Sequence, residues 1–169
     1  DLANKRKNAW GTGLIFNHAI DSIQNVTVAA GFTREISESA NNTAYYRNAY
    51  GLGLAYNFVH TTYGLDLERQ VTKNQGDKRT KNEVRAIVRQ GLNEDWNVYA
   101  MYAYKTDKHS NNTDRTRQFM VGTEYYVFNQ GSLKVKPFLE WQATRTKYEN
   151  SAVDRSRDFK TVIGLRAYW

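Results

Sequence analysis

Polar and apolar residues alternate with period two along most of this chain. In "AYGLGLAYNF", Tyr50, Leu52, Leu54, Tyr56 and Phe58 alternate with Ala49, Gly51, Gly53, Ala55 and Asn57. In "TYGLDLERQV", Tyr63, Leu65, Leu67 and Val71 alternate with Gly64, Asp66, Glu68 and Gln70. The same beat runs through "QFMVGTEYYVF" and "VKPFLEWQA", and it carries Ile163, Leu165, Ala167 and Trp169 in the closing "TVIGLRAYW". A two-residue period sends successive side chains to opposite faces, so it predicts half-buried strands and not helices. Nine strands are predicted, roughly 9–19, 25–38, 43–58, 61–73, 82–91, 96–107, 115–129, 133–147 and 157–169. The fifth, around "NEVRAIVRQG", also fits a helix; its neighbours decide for strand.

The predicted connections alternate between two classes. "IDSIQN", the break at Asn57–Thr61, "GLNEDW" and "FNQGSL" are short; "SESANNT", "KNQGDKRTK", "DKHSNNTD" and "ENSAVDRSRD" are mostly longer and charged. Strands of about 10–14 residues exceed the ~5–6 of soluble sheets and suit the ~9–11 that cross a bilayer. A soluble antiparallel sheet alternates too, with its apolar face in the core; a membrane barrel inverts this, apolar face to lipid and polar face to the lumen. Aromatic residues near predicted strand ends favour inversion: Phe58, Tyr63, Trp96, Phe128 and Trp169 on the short-turn side, and Trp141, Tyr148 and Phe159 towards the long loops. The expectation is therefore an all-β, antiparallel transmembrane β-barrel forming a single domain over residues 1–169. Pairing of the last strand with the first would close it and remove the edges.

Composition changes this picture little. The chain has no cysteine, one proline (Pro137), 14% aromatic residues and a formal net charge of +7. Its aromatic content argues against disorder. A basic balance favours anionic partners: nucleic acid, anionic lipid headgroups or anionic solutes. No apolar run reaches the ~20 residues of a membrane helix. "DLANKRKN" lacks the apolar core of a signal peptide.

The ending resembles the C-terminal strand of bacterial outer-membrane proteins, on Ile163, Leu165, Ala167 and Trp169. That resemblance implies recognition by the barrel-assembly machinery, although Phe is the commoner last residue. "NAYGLGLAYNFVHTTYGLDLER", "NAWGTGLIFN" and "VIGLRAYW" resemble strand–turn–strand units of Gram-negative outer-membrane porins. "LKVKPFLEWQ" and "RDFKTVIGLRAYW" also resemble the acidic-oligosaccharide porins. The family resemblance implies a passive diffusion channel for small hydrophilic solutes, contact with outer-membrane lipid and lipopolysaccharide, and a homotrimer. The acidic constriction loop of general porins has no counterpart here. Short turns face the periplasm in such barrels, so the last strand runs downward and, counting back through nine, so does the first. Complete bacterial barrels have an even number of strands. Three readings stay open: a C-terminal portion of a larger barrel, a first segment "AWGTGLIFNHAI" that is not a wall strand and leaves a small eight-stranded barrel, or completion by another chain.

Alternation assigns Arg47, Arg85, Arg89, Lys105, Lys134, Lys136, Lys160 and Arg166 to the lumen, with Asp66, Glu68, Glu83, Glu124 and Glu140 opposing them. Such residues set the ion preference of a pore, and a basic excess predicts mild anion preference. Equally, inward cations and acids can simply satisfy one another across strands. The small residues Gly51, Gly53, Ala55, Gly64, Gly122 and Gly164 either free luminal space or allow curvature. Catalysis is not expected. His18, His60 and His109 are isolated, and the adjacent His109 and Ser110 of "KHSNN" are poorly placed as base and nucleophile. No zinc, phosphate-loop or dinucleotide motif points to a cofactor. Asn-x-Thr triplets at Asn25, Asn41 and Asn111 carry meaning only in a eukaryotic secretory protein. Basic residues spread through loops and lumen do not predict nucleic-acid binding, though they could touch lipopolysaccharide phosphates. The runner-up to a porin is a small closed barrel acting in adhesion, envelope stability or as a receptor through its loops.

Overall fold

A computed structural model describes residues 6–38, 44–74, 77–110, 112–130, 133–149 and 155–168, with side chains at 8–37, 45–74, 77–110, 112–127, 134–149 and 155–167. Ten strands are present: β1 (Arg6–Ala19), β2 (Gln24–Glu38), β3 (Ala44–Phe58), β4 (Thr61–Asn74), β5 (Asp77–Gly91), β6 (Trp96–His109), β7 (Asn112–Tyr125), the short β8 (Phe128–Gln130), β9 (Leu133–Lys147) and β10 (Arg155–Tyr168). They form one antiparallel sheet in the order β1-β2-β3-β4-β5-β6-β7-β9-β10, with β8 paired to β9. No helix occurs among the described residues. The "NEVRAIVRQG" segment is strand, in β5.

Register keeps the two faces distinct across the sheet, because directly opposed residues in an antiparallel ladder point the same way. Leu52 faces Leu67, Leu54 faces Leu65 and Tyr56 faces Tyr63. One residue away, Gly53 faces Asp66, which faces Arg85, which faces Ala103.

Several predicted loops are strand instead. Pairing continues to Asn74↔Asp77 between β4 and β5, and to His109↔Asn112 between β6 and β7. The apolar signal vanishes there because both faces are polar. The ladder persists on backbone bonds, with Arg79 and Asp107 bridging β5 and β6 at 2.7 Å. The predicted seventh strand is interrupted. Register shifts by one between Glu124↔Phe138 and Phe128↔Val135, which is a β-bulge. Within it the Tyr126 amide donates to the Asp95 carbonyl at 2.8 Å, outside the β9 ladder.

Burial runs opposite to that of a water-soluble sheet. Among the described residues, those buried are Ala103, Tyr99, Glu124 and Lys136, all on the polar face. The apolar face is open: Leu14 is 80% exposed, Leu52 48%, Leu65 40% and Ile163 81%. The polar face is thus the sheltered one, and the small core sits over β6, β7 and β9.

The sheet is not closed: β1 and β10 are its two edges and do not pair. This corrects the expected pairing of last strand with first. In a nine-strand meander the first and last strands run in the same direction, so no antiparallel ladder can join them directly. "AWGTGLIFNHAI" lies in a full strand of the sheet, β1, paired with β2 from Arg6↔Glu38 to Ala19↔Asn25, which removes the eight-strand count.

Candidate functional site

The charged residues converge because β5, β6, β7, β9 and β10 present their polar positions to one sheltered surface. Glu124, on β7, is 2% exposed and meets three cations from three other strands. Arg89 reaches it at 2.8 Å, Arg166 at 3.0 Å and Lys136 at 3.3 Å. Glu140, on β9, accepts from Arg166 at 2.6 Å and from the Tyr99 hydroxyl at 2.6 Å. Arg166 therefore bridges both carboxylates, and its guanidinium lies 4.1 Å from the centre of the Phe138 ring. Lys136 sits 4.4 Å over Tyr126, inside the bulge. Charge-assisted bonds and cation–π contacts here offset the desolvation of Glu124.

These reaches span strands that are not neighbours. Tyr99 crosses β7 to reach Glu140, and Arg166 crosses β9 to reach Glu124. Glycine permits the first: a Cβ on Gly122 would lie 2.6 Å from the Tyr99 ring. Gly164 seats Phe138 in the same way, and Gly64 seats Ile87. Of the small residues, Gly51 alone has open space where its Cβ would be, among those named above as glycines.

Further along the face, Glu83 accepts from Arg85 at 2.7 Å and is 3.2 Å from Lys105. Asp66 lies 3.9 Å from Arg85, and Arg47 lies 3.8 Å from Glu35. Glu68 stands directly opposite Glu83. A hollow of about 630 Å³ over β1–β5 is floored by Ala29, Gly31, Gly51 and Gly53 and walled by Asp66, Glu68, Glu83 and Arg85. Lys134 and Lys160 share the polar face by register but join no ion pair among the described residues. All the lumen residues assigned from the alternation thus lie on one face. Tyr99, Tyr126 and Phe138 were not singled out in the sequence, and only cross-strand pairing with a glycine could have marked Tyr99 and Phe138.

The aromatic residues Phe58, Tyr63, Trp96, Trp141 and Phe159 are exposed on the opposite face. Trp141 stacks on Phe159 at 6.1 Å and meets Phe119 edge-on at 6.5 Å. Tyr148 does not join them: its hydroxyl lies 3.4 Å from that of Ser156, a polar-face residue. Ile163, Leu165 and Ala167 are exposed on the apolar face of β10. The Phe128 side chain and Trp169 lie outside the described residues.

His109 and Ser110 do not engage one another. Ser110 donates to Asp77 at 3.2 Å, and Nδ1 of His109 is buried without a partner. Among the described residues no group of three His, Cys, Asp or Glu side chains could hold a metal ion. What the surface can do chemically is hold fixed charges against water and solutes. No protein-family model and no curated protein matches this chain.

Proposed function

We propose that this chain forms wall strands of a bacterial outer-membrane β-barrel of the porin kind, a passive channel for small hydrophilic solutes with mild anion preference. The inverted burial carries the reading: the Glu124 carboxylate and Lys136 are buried, while leucine, isoleucine and tryptophan are exposed. In water that arrangement wastes the hydrophobic effect, whereas against lipid it is the stable one. The apolar positions of β9 run from Leu133 to Ala143 before Arg145 ends them, roughly 34 Å along the strand, or about 26 Å in height at the ~40° tilt of barrel strands. That is close to the ~25 Å apolar band of such barrels. Closure requires an odd number of further strands between β10 and β1, since both edges run the same way. In this reading the last strand runs towards the periplasmic side and addresses the assembly machinery.

A second reading has one observation in its favour. The network of Arg89, Tyr99, Glu124, Lys136, Glu140 and Arg166 interlocks across the polar face, as in a barrel with a packed interior that acts through its loops. Planar-bilayer recording separates the two. Stable conductance supports the porin; well-folded protein that stays silent sinks it. Reversal potentials in a salt gradient test the charge preference, and cation selectivity overturns that part.

A further inference from the structure

On the apolar face, Glu38 at the far end of β2 is the only acid among the described strand positions. The cations of this face gather beyond one end of the apolar band, and they are densest on β7, β9 and β10. There Arg117 stands directly opposite Arg145, which stands opposite Arg157. The next row repeats the pattern with Arg115, Lys147 and Arg155. None of the six has an ion-pair or hydrogen-bond partner among the described residues. Like charges directly opposite one another destabilise a ladder. Six in two rows, with no acid paired to them among the described residues and the nearby Glu149 carboxylate taken up by the Thr113 amide at 2.6 Å, form a surface that an anion would stabilise.

The setting narrows the anion. A hollow of about 280 Å³ is lined by Tyr104, Arg115, Arg117, Arg145, Lys147 and Arg155. One step down each strand the face turns apolar, at Phe119 on β7, Ala143 on β9 and Phe159 on β10, with Trp141 stacked beside Phe159. Guanidinium groups bind phosphate through paired N–H bonds. Two rows two residues apart, roughly 7 Å, match a headgroup bearing more than one phosphate. The exposed aromatic side chains below match acyl chains.

We propose that this rim binds the phosphorylated headgroup of a membrane amphiphile, with its acyl chains lying along Phe119, Trp141 and Phe159. The proposal rests on the membrane reading above and adds to it a specific lipid site. It accounts for where much of the chain's positive excess goes, which the lumen does not.

The test uses the whole chain folded in non-ionic micelles and titrated with a diphosphorylated lipid. Controls are the same lipid without phosphate, and inorganic pyrophosphate. R145Q/R157Q is expected to weaken lipid binding at least tenfold, and K73Q/K78Q, the same charge loss on β4 and β5, less than twofold. R145K/R157K preserves the charge and is expected to fall between them, which guards against a folding artefact. Equal losses in the two glutamine variants overturn the proposal. So does equal binding of the phosphate-free lipid, or pyrophosphate binding as tightly as the lipid. Dimers that form without lipid and vanish in R145Q/R157Q overturn it in favour of a protein partner. Protein that stays monodisperse without detergent removes the membrane reading and this site together. Protein that inserts and conducts, yet binds lipid regardless of these charges, removes this site alone.

Discussion

The ring of Tyr99 lies across Gly122, and its hydroxyl donates to Glu140 at 2.6 Å on the far side. A Cβ at position 122 would come 2.6 Å from two ring carbons. Gly122→Val is therefore expected to displace a buried ring and break that bond. Overpacking of this kind costs about 1–3 kcal/mol. Urea titration in micelles reads the loss, and Tyr99→Ala in the same background is expected to restore part of it. Additive losses would mean that the two residues are independent.

Glu124 holds three cations while almost wholly buried. Glu124→Gln leaves Arg89, Lys136 and Arg166 short of a carboxylate. Breaking a buried ion pair costs about 3–5 kcal/mol. The lower end is expected here, because Arg89 and Arg166 are 44% and 35% exposed and water screens them. In a conducting channel the same change is expected to shift the reversal potential towards anions. An unchanged potential would place Glu124 away from the ion path.

Leu52 and Gly51 are adjacent and lie on opposite faces. An arginine at the lipid face of a barrel costs about 2–4 kcal/mol at mid-membrane. Leu52→Arg is expected to reduce folding into lipid vesicles sharply. Gly51→Arg, where nothing lies within 4 Å of the new Cβ, is expected to fold near the original yield. Equal yields for the two would remove the inverted orientation.

Val59 holds φ at 53° in the two-residue turn between β3 and β4. A β-branched residue is strained there, and its amide is nonetheless held by the Ile23 carbonyl at 3.0 Å. Val59→Gly is expected to stabilise the fold by about 1 kcal/mol, since glycine adopts that region without a Cβ clash. A higher urea midpoint checks this. A lower one would mean that the Val59 side chain contributes more than its backbone costs.

Period-two alternation placed eight of the nine long strands, because it follows from the pleat within each strand; the fifth was decided by its neighbours. It also put its charged candidates on a single face of the sheet: Arg47, Arg85, Arg89, Lys105 and Arg166 all share the side of Asp66, Glu124 and Glu140. Strand ends were less legible. Around Asp77 and His109 both faces are polar, so no contrast marks where pairing stops. The bulge at Tyr126 was invisible, since Tyr125, Tyr126, Val127 and Phe128 are all aromatic or apolar, and a change of phase from odd to even positions leaves no mark in such a run.

Tertiary structure decided everything that depends on which strands are neighbours. Three cations meet at Glu124 because side chains reach across an intervening strand, and such distances have no signature along one chain. Gly122 and Gly164 became seats for Tyr99 and Phe138 only once register set them opposite. Arg117, Arg145 and Arg157 are far apart in sequence, each near the end of a different predicted strand, and only the ladder aligned them in one row. Sequence determined the faces because side-chain direction is local. Only the fold could determine the sites, and leave β1 and β10 as open edges, because pairing is not.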